Sequence, residues 1–200
     1  MLKRILVGLG SVLAMHTALA AEPVILVFGD SLSAGYGIAA DQAWPKLLEK
    51  ELKAKGKAYR VVNASVSGET TAGGLTRFPA TLKQHKPQWL ILALGANDGL
   101  RGLPVEAMKQ NLGKMIAQAQ SSGAKVHLIG MHMPPNYGAN YTQQFAAVYP
   151  GLAKQYKVSL SPFLLEPVIN NNQYFQADQL HPTAAAQPLL LKYILKEFKI

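Results

Sequence analysis

The sequence predicts an α/β fold: a three-layer α/β/α sandwich around a five-stranded parallel sheet in flavodoxin-like order. Three observations carry this expectation. Short apolar runs without polar alternation, as in strands covered on both faces, recur along the chain. Longer helical patterns separate them, so that strands and helices alternate as right-handed βαβ units. Finally, no composition break, linker or internal repeat divides the 200 residues.

The elements follow in order. The run 24–28, VILVF, is the first strand, and it stops at Gly29, Asp30 and Ser31, which are turn formers. A serine hydroxyl is thereby delivered to the carboxyl end of a strand, where open α/β sheets place their ligands. Trp44 and Pro45 open a helix with Leu47, Leu48 and Leu52 inward and lysines outward, ending at Gly56. A second buried strand is expected over 59–64, then a loop of Ser, Thr and Gly over 65–74 and a short helix over 75–83. The third strand, 89–94, breaks at Gly95. Pro104 suits the first turn of a helix running to about Ser122, with Gly123 just past its end. Strand four covers 126–129, a helix 143–156 and a short fifth strand 158–160. The last helix runs from Thr183 or Ala184 to Phe198.

The amino terminus reads differently. Lys3 and Arg4 precede an apolar segment, 5–15, and Ala18-Leu19-Ala20 supplies an A-x-A pattern ahead of Ala21. Residues 1–20 therefore read as a secretory signal peptide, with a single mature domain over 21–200 in the periplasm or outside the cell. The apolar part falls short of the ~20 residues that span a bilayer, so no stable membrane anchor is expected.

Composition narrows the partners. The absence of cysteine excludes disulfides, cysteine nucleophiles and thiolate metal sites. The formal charge is +9, or +7 once Lys3 and Arg4 leave with the signal peptide. Much of it lies over 46–57, where Glu49 and Glu51 are interleaved and no aromatic platform follows, so a solvated helix face is expected and no nucleic-acid partner. His127 and His132, five apart in a strand pattern, fall on opposite faces, and no metal is expected.

Polar clusters stand at the strand exits. Ser31 follows the first strand, Asn63-Ala64-Ser65-Val66-Ser67-Gly68 the second, Gly95-Ala96-Asn97-Asp98 the third, and Asp178-Gln179-Leu180-His181-Pro182 precedes the last helix. Each alone is ordinary turn chemistry. On one rim they supply what acyl transfer needs: a serine, a base for its proton, an acid to orient the base, and donors for a developing oxyanion. The reading assigns Ser31 as nucleophile, His181 as general base and Asp178, three residues earlier, as its orienting acid. The Asn97 side-chain amide and the backbone N–H groups of Gly68 and Ser31 are the candidate oxyanion donors.

These ordered clusters resemble the SGNH, or GDSL, hydrolases. Gly29-Asp30-Ser31-Leu32 is similar to the family's first block, Gly68 to the glycine of the second, Gly95-Ala96-Asn97-Asp98 to the G-x-N-D third block, and Asp178 with His181 to the D-x-x-H fifth. The strings DSLSAGYG, VVNASVSGET, GANDGLRGLP, PPNYG and HPTAAAQP further resemble a bacterial periplasmic branch of acyl-CoA thioesterases, proteases and lysophospholipases, also known as arylesterases. The resemblance implies a cofactor-free hydrolase of small-molecule or lipid acyl esters and thioesters, acting as a monomer. It implies a flap over 99–104, with Leu100 and Leu103 touching an acyl chain, and an opposite wall over 134–137 that includes Tyr137. A carbohydrate or small-ester acetylesterase is the alternative within the fold, and a non-catalytic binding protein the alternative outside catalysis. A dinucleotide site is disfavoured: Gly35 to Ala40 satisfies G-x-G-x-x-A, but six residues separate Phe28 from Gly35, where that fingerprint needs its glycine at the strand exit.

Overall fold

The computed structural model describes residues 22–200; the expected signal peptide and its cleavage point before Ala21 lie outside the described residues. Strand β1 (Val24–Gly29) is buried along its whole length. It pairs in parallel with β2 (Arg60–Asn63) on one side and β3 (Trp89–Ala93) on the other. Adding β4 (Lys125–Ile129) and β5 (Ser159–Ser161) gives a five-stranded parallel sheet in the order β2-β1-β3-β4-β5. The chain reverses direction across the sheet between β1 and β3, which makes their carboxyl ends the switch point where such sheets bind ligands.

Seven α-helices accompany the strands among the described residues: α1 (Ser31–Ala34), α2 (Trp44–Ala54), α3 (Thr71–His85), α4 (Ala96–Leu100), α5 (Val105–Ser121), α6 (Ala139–Tyr156) and α7 (Gln187–Glu197). Helices α2 and α7 pack against each other, while α5 packs between α3 and α6. Ile25, Leu26, Val27 and Phe28 of β1 and Leu90, Ile91 and Leu92 of β3 are fully buried between these layers. At about 1.5–3 kcal/mol for each such side chain, the two central strands form a stiff platform beneath the loops at their carboxyl ends.

Four local expectations are corrected. β2 is not buried: as an edge strand it leaves Arg60 and Asn63 exposed and Val61 and Val62 half-buried. Helix α3 starts at Thr71, capped by the Thr70 side chain, and takes in Gly73 and Gly74, which the sequence reading left in a loop. Gly74 lies so close to Leu94 that a side chain there would collide with it, so packing, not propensity, selects glycine inside this helix. The segment after Asp30 is a one-turn helix, not a plain loop. His132 lies beyond the end of β4, where its ring stacks on Phe163 at 4.5 Å. His127 is buried in β4 between the hydroxyls of Ser159 and Ser161, at 2.8 and 2.9 Å, and burial pulls its pKa down to about 4. No helix among the described residues is long and apolar enough to cross a membrane.

Candidate active site

Three strand exits and the segment before α7 meet at the switch point. Asp30 follows β1 directly and caps α1, its carboxyl oxygen accepting the Leu32 N–H at 3.0 Å. That cap fixes the turn and presents Ser31, the first residue of α1, at the rim. The Ser31 Oγ lies 2.9 Å from His181 Nε2, although 150 residues separate them in sequence. On the other side of the ring, His181 Nδ1 lies 2.7 Å from Asp178 Oδ2. With Nδ1–H donated to the carboxylate, Nε2 is the acceptor for the serine hydroxyl proton.

Asp178 does more than face the imidazole. Its Oδ1 accepts the backbone N–H groups of Leu180 and His181 at 2.9 and 3.0 Å, closing a tight turn with Gln179 in the left-handed region. The His181 N–H is foremost among the bonds that hold the carboxyl down at a pKa of about 2. Asp178 is therefore ionised throughout the neutral range, and its access to solvent favours the same charged form.

The loops after β2 and β3 are stitched together. The Asn97 amide donates to the Glu69 carbonyl at 3.0 Å, the Arg101 guanidinium donates to the Gly68 carbonyl at 2.8 Å, and buried Asp98 accepts the Thr71 N–H and hydroxyl at 2.8 and 2.5 Å. Asn97 thus has one amide hydrogen committed and one left over. Gly68 adopts the left-handed region, φ 77°, and neither its N–H nor that of Ser31 donates to an acceptor among the described residues. Gly95, at φ 119°, turns β3 into α4 where a Cβ would overlap the Tyr149 hydroxyl.

A cavity of about 580 Å³ opens beside Ser31 and His181, within the range of small-molecule sites. Leu100, Met131, Met133, Phe163, Leu165 and Ile169 give it mostly apolar walls, and Pro134 and Pro135 contribute from the 134–137 segment. Leu100 lines this cavity. Leu103 and Tyr137 do not line the cavity. Instead they join the 99–104 segment to residues 137–141: Tyr137 OH donates to the Leu100 carbonyl and Tyr141 OH to the Leu103 carbonyl, both at 3.0 Å. Phe163, Leu165, Ile169 and Tyr36 were missed by the sequence reading. The first three follow β5, a strand too short to flag its exit; Tyr36 is exposed and sets its ring against His181 at a tilt of 38°, with ring centres 4.4 Å apart.

The geometry is that of an acyl-transfer site, and a family model described as "GDSL-like Lipase/Acylhydrolase family" matches residues 27–188. The chain belongs to this family. Among similar proteins, "Esterase TesA" of Pseudomonas aeruginosa is 47% identical over 94% of this chain and 93% of its own length. "Thioesterase 1/protease 1/lysophospholipase L1" of Escherichia coli K12 is 42% identical over 90% of this chain and 85% of its own length. The crystal structure of a protein named TesA superposes with a TM-score of 0.84 at 48% identity, covering 86% of this chain and 96% of that one. The family's fold is the sheet described above, and the chain is an acyl ester hydrolase.

One titration beneath the site is unusual for a carboxylate. Burial pushes the Asp30 pKa up from 3.8 to about 7, against the opposing Leu32 N–H bond. Between those values the native state holds a proton that the unfolded chain releases, so this group makes stability fall as pH rises from about 4 to about 7. Asp30→Asn keeps an oxygen for the cap and removes the titration. Its Tm is expected to equal the parent's near pH 4 and to exceed it by several degrees above pH 7. His127 slopes the other way, losing stability as pH falls from 6.5 to about 4, but it is common to both proteins and cancels in the difference. Parallel Tm curves across this range would refute the Asp30 assignment.

Proposed function

We propose that the protein hydrolyses esters and thioesters of fatty acyl chains through a Ser31-His181-Asp178 triad. The observation that carries this is the continuous relay of Ser31 Oγ, His181 and Asp178, at 2.9 and 2.7 Å, opening onto an apolar cavity. Ser31 Oγ attacks the acyl carbonyl carbon while its proton passes to His181 Nε2. The tetrahedral oxyanion is held by the Ser31 and Gly68 N–H groups and the free Asn97 amide hydrogen. Collapse breaks the bond to the alcohol or thiol, which leaves with the proton from His181. Water then gives a proton to His181 and attacks the acyl-enzyme, and collapse releases the acid and returns the proton to Ser31 Oγ. Asp178 stays ionised throughout and stabilises the imidazolium.

The apolar walls support fatty acyl chains over acetylated sugars, whose hydroxyls would lose hydrogen bonds there. The names of the similar esterase and thioesterase agree with this substrate class. The sequence pattern of residues 1–20 supports export, which amino-terminal sequencing of the processed protein tests: a start at Ala21 is expected.

The substrate test compares p-nitrophenyl esters from acetyl to palmitoyl, palmitoyl-CoA and a lysophospholipid. Turnover of medium and long chains is expected; activity confined to acetyl would replace this reading with a deacetylase. Within the site, Asn97→Ala is expected to lower kcat on the order of 10²- to 10³-fold with KM little changed. An unchanged kcat would remove Asn97 from the oxyanion hole.

A further inference from the structure

His181 stands on a small hairpin whose 177–180 turn is exposed and whose base, with Tyr174 and Phe175, packs against the core, and its 2.9 Å approach to Ser31 has to be imposed from outside that turn. The hairpin is closed by an antiparallel bridge between Phe175 and Pro182, with the Gln176 N–H donating to the His181 carbonyl at 2.8 Å and the Thr183 N–H to the Tyr174 carbonyl at 2.7 Å. These bonds shape the hairpin without locating it against α1. Among the described residues, only two hydrogen bonds cross from 174–183 to 31–38: the Ser31–His181 contact itself, and one from the Gln176 side chain to the Tyr36 carbonyl at 2.8 Å.

We propose that Gln176 is a positioning residue, whose side-chain amide clamps the His181 hairpin to the turn after the nucleophile. The proposal rests on the triad reading above. Both amide hydrogens are used, because Nε2 also donates to the Pro182 carbonyl at 3.1 Å. One planar group therefore ties the residue after the base to a residue five beyond the nucleophile. The carbonyl oxygen of the amide is packed as closely: a Cβ on Gly37 would overlap Gln176 Oε1 and come within 2.9 Å of its Cδ. Gly37, at φ 73°, is thus the complement of Gln176, needed both for its backbone conformation and for the space it leaves. Tyr36, whose carbonyl takes the bond, lays its ring against the His181 ring, so the clamp fixes the base along two directions.

A clamp acts on geometry at the reacting atoms, where a displacement of about 1 Å costs on the order of 10²-fold in rate. Gln176→Ala is therefore expected to lower kcat about 10- to 100-fold with KM within about twofold of the parent. Gln176→Glu has the same shape but no hydrogens to donate to the two carbonyls, and is expected to lose at least as much; a packing role would leave it near parental. Gly37→Ala, which displaces the amide from the opposite side, should reproduce the kcat loss. In the Gln176→Ala background it should cost clearly less than in the parent, because the clash with the amide is gone and only the strain of alanine at φ 73° remains.

The experiment measures kcat, KM and Tm for these variants on a medium-chain p-nitrophenyl ester, with Ser31→Ala in parallel. Falling kcat at constant KM in both Gln176 variants, with non-additivity at Gly37, is the expected result. Parental kcat in Gln176→Glu, or fully additive losses, would overturn the clamp. If Ser31→Ala keeps a near-parental kcat, the triad reading fails instead, so the two failures are distinguishable.

Discussion

Ser31→Ala is expected to lower kcat on the order of 10⁶-fold while leaving the fold intact. The large effect follows from the position of the hydroxyl: among the described residues, the one side-chain hydrogen bond of Ser31 is to His181 Nε2, and no other hydroxyl bonds that nitrogen. The small structural effect follows from the division of labour at the turn. Asp30, not Ser31, caps α1, and alanine is at least as good a helix former as serine. Residual turnover reflects the oxyanion donors alone, about 10³- to 10⁴-fold over water.

Ser33 provides the internal control. It sits two residues on, fully buried, with no hydrogen-bond partner for its Oγ among the described residues. Removing a buried unpaired hydroxyl is close to neutral or stabilising, so Ser33→Ala should keep parental kcat. Both variants are read by ester turnover and thermal melting. Loss of turnover in Ser33→Ala but not in Ser31→Ala would reverse the assignment.

The sheet was legible because burial on both faces removes polar residues from β1 and β3, leaving runs with no other explanation. The edges were harder. β2 alternates nothing and is called buried by its valines, yet its exposure depends on having no neighbour on one side, which no local pattern encodes. Ser31, Gly68, Asn97, Asp178 and His181 stand out in the sequence because the chemistry proposed for them restricts residue type and each sits beside a turn. The cavity walls carry no such restriction. Any apolar residue serves at Phe163 or Ile169, and Leu103 looked equivalent to Leu100 until the backbone put one on the cavity and turned the other away. Gln176 was invisible for a related reason: an amide becomes a clamp only when folding places two carbonyls from different segments within its reach.

Asp178→Asn is expected to lower kcat on the order of 10⁴-fold, and to be at least as damaging as Asp178→Ala. Asparagine preserves much of what the carboxylate does structurally. Its Oδ1 still accepts the Leu180 and His181 N–H groups, so the turn that carries the base should persist. The other half of the side chain is reversed. Where Oδ2 accepts the Nδ1–H, an NH₂ group would instead donate, holding Nδ1 unprotonated and moving the imidazole proton to Nε2. A histidine in that tautomer presents N–H to Ser31 and cannot take the hydroxyl proton. The negative charge that stabilises the imidazolium is lost at the same time. Alanine abolishes the charge but enforces no tautomer, which is why the isosteric change is the sharper one. The measurement is kcat for both variants on one ester, with Tm to check the turn. Near-parental kcat in Asp178→Asn would reduce Asp178 to a turn former, and a tenfold advantage of asparagine over alanine would say that loop shape, not proton placement, is what it contributes.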